Sequence, residues 1–154
     1  MEDMNTRTAS AASSDLEKAR EFFRNDVYAT GTTGITIEET RPGHSVVSLQ
    51  TDDRHTNAAG VVMGAVYTTM ADFAFAVAAN YDLAVLRKAP GECATTVTLS
   101  SSTSFLHSAR GGRLTAEADC ISDGGHTCVY EITVREETGR EMARMTLQGY
   151  KIYH

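Results

Sequence analysis

Asp72 is the only charged residue between Ala58 and Tyr81, in a run, "AAGVVMGAVYTTMADFAFAVAANY", that is otherwise apolar, small or hydroxylic. A carboxylate enclosed by Met70, Phe73, Phe75 and Val77 on its own helix is predicted to be desolvated, which raises its pKa and suits it to activate water or to attack directly. Thr68 and Thr69, one turn earlier on the same face, could hold that water. Gly64 lies near the start of the predicted helix, where the first N–H groups have no intrahelical acceptor and sit at the positive end of the dipole. Such groups can polarise a carbonyl oxygen, and a glycine lets a ligand come close to the backbone.

Distance constrains how these groups can cooperate. Eight residues separate Gly64 from Asp72, roughly 12 Å along a helix axis, whereas one reacting carbonyl must sit about 3 Å from its donor and from its attacking group. One chain is too short to close that gap. Two central helices lying antiparallel can do so, which predicts a two-fold homodimer with the donor from one protomer and the carboxylate from its partner.

The elements that must position these residues are legible from periodicity. In "SSDLEKAREFF", Ser14 and Glu17 form a capping-box pattern before Leu16, Ala19, Phe22 and Phe23 at helical spacing, so a helix is expected from Ser14 with residues 1–13 as a flexible tail. "GITIEETRPGHSVVSLQT" reads as a hairpin about Pro42 and Gly43. After the long apolar segment, four strand-like runs separated by Gly-containing turns read as an antiparallel meander. A helix apolar on every side has to be surrounded, and the sheet is the only material available. The expected architecture is α+β, a curved antiparallel sheet wrapped around a long central helix in one domain over residues 14–154.

Composition narrows the function classes. A chain of 154 residues with 42% hydrophobic and 22% charged residues has the profile of an ordinary globular domain. A net charge of −6 and a pI near 5.3 argue against nucleic acid as the main partner. The apolar segment carries two glycines, two threonines and Asp72, too polar for a membrane span, and no signal-peptide pattern precedes it, so a cytoplasmic location is expected. Cys93, Cys120 and Cys128 show no metal-ligand spacing and read as small core residues. His44, His107, His126 and His154 likewise lack ligand spacing, and His55 reads as a solvated loop residue. Neither a metal nor a cofactor is expected.

"HTNAAGVVMGAVYTTMADFAFAVAAN", followed by "TVTLSSSTSFLHSARGGRLTAEA", resembles the PaaI-like branch of the hotdog-fold thioesterases. That branch typically carries Asn, Gly, His-Gly-Gly and Leu-Ala-Asp, to which Asn57, Gly60, the triplet Met63, Gly64 and Ala65, and Met70, Ala71 and Asp72 correspond. The resemblance implies an acyl-CoA thioesterase with Asp72 as general base or nucleophile, the Gly64 N–H polarising the thioester carbonyl, and Asn57 positioning substrate or water. It also implies a hydroxyl on the following strand, here Thr98, that assists the carboxylate. Met63 and Ala65 depart from the usual His and Gly, which bears on substrate positioning.

Thr68, Thr69, Met63 and Ala65 are the expected substrate contacts, and dimers could pair further into tetramers. Arg110 and Arg113, with Arg87 and Lys88, are the cations available to CoA phosphates in an otherwise acidic chain. Each of these residues also has a plain structural reading: Asn57 as a turn former, the cations as solubilising charges, Asp72 as a carboxylate bonded within the fold. A non-catalytic acyl-CoA-binding or sensing protein on the same scaffold is the alternative function. A hotdog dehydratase ranks below both, because the triplet lacks a His.

Overall fold

The protein is described by a computed structural model covering residues 4–89 and 91–154, with side chains from residue 8 onward. Its centre is α2 (Gly64–Ala79), against which one six-stranded antiparallel sheet packs. The strands are β1 (Thr36–Arg41), β2 (His44–Gln50), β3 (Thr95–Phe105), β4 (Arg113–Asp123), β5 (Thr127–Glu136) and β6 (Glu141–Ile152). This is the hotdog arrangement expected from the sequence.

The sheet order, β1-β2-β4-β5-β6-β3, corrects the expected meander of four. Only β4, β5 and β6 follow one another. The chain leaves α2 and α3 (Tyr81–Ala84) to form β3 at one edge, beside β6, then crosses to pair β4 with β2. Placing β3 at the edge lets the strand run alongside α2 instead of beneath it.

Alternation explains the core. Val47 and Leu49 of β2, Leu114, Ala116 and Ala118 of β4, and Ile132 and Val134 of β5 recur at every second position and are buried against the helix layer. From α2, Met70, Phe73, Phe75 and Val77 fill the same interior. Each Val, Leu, Ile, Phe or Met among them contributes about 1.5–3 kcal/mol on removal from water. Gly149 of β6 makes room for this packing: a Cβ there would lie 2.6 Å from the Phe75 ring, 2.7 Å from Cys128 Sγ and 2.8 Å from Thr96.

Helix α2 is not encircled. Its Ala65, Thr68, Thr69, Asp72, Ala76 and Ala79 recur at helical spacing along a stripe that the sheet leaves partly or fully uncovered. The expectation of an apolar helix wrapped on all sides therefore does not extend to this stripe.

Helix α1 (Met4–Phe23) packs on β1 and α3. It begins well before Ser14, which lies in its interior, so residues 4–13 extend the helix where a tail was expected. The segment "TASAASS" has no Gly or Pro to stop helix propagation, and its alanines favour it. The Arg20 guanidinium donates to Ile37 O at 2.8 and 3.0 Å, and Tyr81 Oη donates to Asp15 at 2.7 Å, tying α1 to β1 and α3.

Candidate active site

Strand β3 runs antiparallel along α2, and the pair builds the site. At the far end, buried Asn80 receives the Thr96 N–H at 2.8 Å and donates to Thr96 O at 3.0 Å, which locks the strand against the helix C-terminus. Two residues on, Thr98 Oγ1 donates to Asp72 Oδ1 at 2.5 Å. Thr98 pairs with Gly149 and Ser100 with Gln148, so Leu99 is an extra residue in a β-bulge. The bulge reverses the alternation: Thr96 and Thr98 face α2 before it, and Ser101 and Phe105 face α2 after it.

Asp72 is exposed on the open stripe. The expected enclosure by Met70, Phe73, Phe75 and Val77 is corrected: those side chains turn into the core, whereas the 3.6-residue repeat puts Asp72 on the uncovered side. Beside it is a cleft of ≈ 280 Å³ lined by Thr68, Thr69, Asp72, Ser101, Met145 and Leu147. The Thr68 and Thr69 hydroxyls both donate to Ala65 O at 2.9 Å, which leaves their oxygens able to accept from the cleft.

At the other end of α2, Met63 is the N-cap and supplies no side-chain acceptor. The N–H groups of Gly64 and Ala65 have no hydrogen-bond partner among the described residues. Met63 is 52% exposed and Ala65 is exposed. The space expected to admit a ligand at Gly64 is partly filled, since a Cβ there would lie 3.1 Å from the Phe105 ring.

Asn57 sits in the exposed turn leading to α2, where its Oδ1 accepts from Ala59 N at 2.9 Å and Val61 N at 3.3 Å. Its Nδ2 has no partner among the described residues. The loop after β3 is pinned over the same helix end: Val62 N donates to Ala109 O at 2.8 Å, and Ala109 N donates to Tyr67 Oη at 3.1 Å. Arg110, exposed, follows directly.

The other candidate cations lie elsewhere. Arg113 alternates with fully buried Leu114 and so faces away from α2, where it pairs with Glu38 at 2.8 Å and donates to Ser48. Arg87 and Lys88 lie beyond the C-terminal end of α2, paired with Glu21 and Asp82. His55 is buried, a correction to the expected solvated loop. Its Nδ1 accepts from Asp52 N at 2.9 Å, so its Nε2–H donates to Thr33 O at 2.8 Å, and the ring fastens the turn before the site.

A larger hollow, ≈ 520 Å³, opens at the C-terminal end of α2 and is lined in part by Cys93, Cys120, Cys128 and Tyr130. Burial raises the pKa of the Cys128 thiol and the Tyr130 phenol above their ordinary values, so both stay neutral. The hollow contains neither Asp72 nor the free N–H groups.

The open helix stripe presents a carboxylate that accepts from a hydroxyl, and the helix start presents N–H groups without a partner among the described residues. Residues 59–143 match the family model of the thioesterase superfamily, more than half of the chain. The chain belongs to the thioesterase superfamily. Among solved structures, the Escherichia coli PaaI protein of the phenylacetic acid degradation operon superposes with a TM-score of 0.74 at 23% identity, covering 89% of this chain and 95% of that one. A variant of the phenylacetic acid degradation protein PaaI from Thermus thermophilus gives 0.69 at 24%, covering 80% and 97%. A Streptococcus mutans protein bound to acetyl CoA gives 0.67 at 23%, covering 77% and 89%.

Within this superfamily member, the cleft-lining Ser101, Met145 and Leu147, and Phe105 and Asn80 at the two ends of α2, are not legible in the sequence. Ser101 and Phe105 depend on the bulge at Leu99, and Met145 and Leu147 depend on β6 neighbouring β3. No local sequence signal marks either feature.

Proposed function

We propose that the protein hydrolyses an acyl-CoA thioester to the free acid and CoA, with Asp72 as general base or nucleophile. The observation that carries this reading is the Thr98–Asp72 contact: the sole carboxylate of α2 is held by a hydroxyl beside an open cleft in a thioesterase-superfamily fold. Acetyl CoA in the Streptococcus mutans relative supports a CoA thioester as the ligand class.

In this reading Asp72 accepts the proton of a water poised in the cleft. The water oxygen bonds to the thioester carbon, and the carbonyl electron pair moves onto oxygen, where the Gly64 N–H stabilises it. Collapse breaks the C–S bond, and the thiolate of CoA leaves and takes up a proton. If Asp72 itself attacks, an anhydride forms and water cleaves it.

Gly64 and Asp72 lie on one continuous helix, about 12 Å apart along its axis. The donor and the carboxylate at one carbonyl therefore come from two protomers. β3 supplies a surface for that assembly: it is an edge strand of 11 residues without charge or proline, exposing Val97 and Leu99. Pairing through this edge would set the two open stripes side by side. Asn57 and Arg110 lie on the donor protomer, Asn57 toward the substrate or water and Arg110 toward the CoA phosphates.

The test is thiol release from acetyl-, hexanoyl- and benzoyl-CoA by wild type and Asp72→Asn. Turnover that collapses in the variant supports hydrolysis. An inert wild type that still binds acyl-CoA tightly would move the protein to the binding or sensing alternative, for which Met63 in place of the usual His is the motivating feature.

A further inference from the structure

The buried phenylalanines Phe23, Phe73 and Phe75 are 7%, 2% and 1% exposed, yet Phe105 is 56% exposed while its ring stands against the start of α2. The closeness is specific to glycine: a Cβ on Gly64 would meet Phe105 Cε1 at 3.1 Å and Cζ at 3.3 Å, tighter than ordinary packing. One part of the ring is therefore seated on the backbone that carries the free N–H, and the remainder is open. Tyr67, with its ring centroid 6.4 Å from that of Phe105, backs it, and Tyr67 is itself buried and fixed through Ala109.

We infer that Phe105 is a specificity-determining residue of the thioesterase site, the apolar surface on which the acyl group packs once its carbonyl reaches the Gly64 N–H. This assignment rests on the thioesterase reading and names what that site selects: acyl groups with apolar surface near the carbonyl. A ring at this distance also shields one side of the donor from water, which strengthens its hydrogen bond to the developing oxyanion. Acetyl has little surface to offer the ring, whereas a chain of six carbons can cover its open face.

The experiment compares kcat and KM for hexanoyl-CoA and acetyl-CoA in wild type, Phe105→Ala and Phe105→Leu. In the alanine variant the hexanoyl-to-acetyl ratio of kcat/KM is expected to fall about tenfold, chiefly through KM for hexanoyl-CoA, as loss of one buried apolar contact dictates. The leucine variant keeps apolar bulk, and its ratio is expected to fall about two- to threefold. It decides the matter if the alanine variant does not fold. A merely structural role would lower both substrates together and leave the ratio unmoved. An unchanged or rising ratio in an active enzyme overturns the assignment of Phe105 alone; a wild type inert on every thioester removes the thioesterase reading and this assignment with it.

Discussion

Thr98 Oγ1 donates to Asp72 Oδ1 across the seam between edge strand β3 and helix α2, at 2.5 Å. Because the hydroxyl hydrogen is committed to Oδ1, the carboxylate is oriented, and its other oxygen remains available to the cleft. Asp72→Asn is expected to lower kcat by at least about 10³-fold, and Thr98→Val, which keeps the shape and removes the donor, by about tenfold. Steady-state thiol release with the fold checked by circular dichroism measures both. A Thr98→Val variant as active as wild type would reduce that hydrogen bond to a structural contact.

Complementation addresses the two-chain site. Gly64→Val and Asp72→Asn homodimers should each be nearly inactive. Mixed heterodimers contain one site with both defects and one with neither, so about a quarter of wild-type activity should return after subunit exchange at equal ratio. Mixing that restores nothing, despite exchange confirmed by mass spectrometry, would place the donor and the carboxylate of one site in the same chain.

Arg110 and Arg113 separate by location. Arg110→Ala is expected to raise KM for acyl-CoA about five- to tenfold, with the difference shrinking as salt is added. Arg113→Ala removes a pair with Glu38 on the opposite face of the sheet and should leave KM unchanged, lowering stability by under about 1 kcal/mol. Equal KM effects from both would contradict the placement of the CoA phosphates beside Arg110.

Gly149→Ala tests the packing behind the site. The added methyl would meet Phe75, Cys128 and Thr96 at 2.6–2.8 Å, and overpacking of this kind costs about 1–3 kcal/mol. A thermal midpoint several degrees below wild type is expected, by roughly 2–4 °C per kcal/mol for a domain of this size. No change in calorimetry would mean the strands relax more freely than the packing suggests.

Asp52 sets a pH response. The Arg54 side chain beside it, with help from the Arg54 backbone N–H, lowers its carboxyl pKa from 3.8 to about 2. A depressed folded-state pKa contributes stability that is present above pH 4 and is lost as pH falls through about 2. Asp52→Asn should therefore flatten the acid limb of the stability curve between about pH 4 and pH 2. A chemical denaturation series across that window reads the effect, and identical slopes for both proteins would refute it.

The sequence by itself determined most of the elements and offered Asn57, Gly64 and Asp72 as candidates for chemistry. Period-2 and helical patterns report which faces are apolar, and they placed the first hairpin, the later strand runs and a central helix carrying one charge. The pattern of Asn57, Gly60, Met63-Gly64-Ala65 and Met70-Ala71-Asp72 carries the resemblance to the superfamily. Tertiary structure alone decided which strand pairs with β3, because β3 and β6 meet across about fifty residues of chain and no local signal encodes such pairing. It also decided that Leu99 forms a bulge, and that one extra residue inverts the alternation which brings Ser101 and Phe105 toward α2. Helix α2 illustrates the limit most directly: its composition is apolar nearly all round, yet the sheet leaves one stripe open, and Asp72 stands there because coverage depends on neighbours and not on the helix sequence.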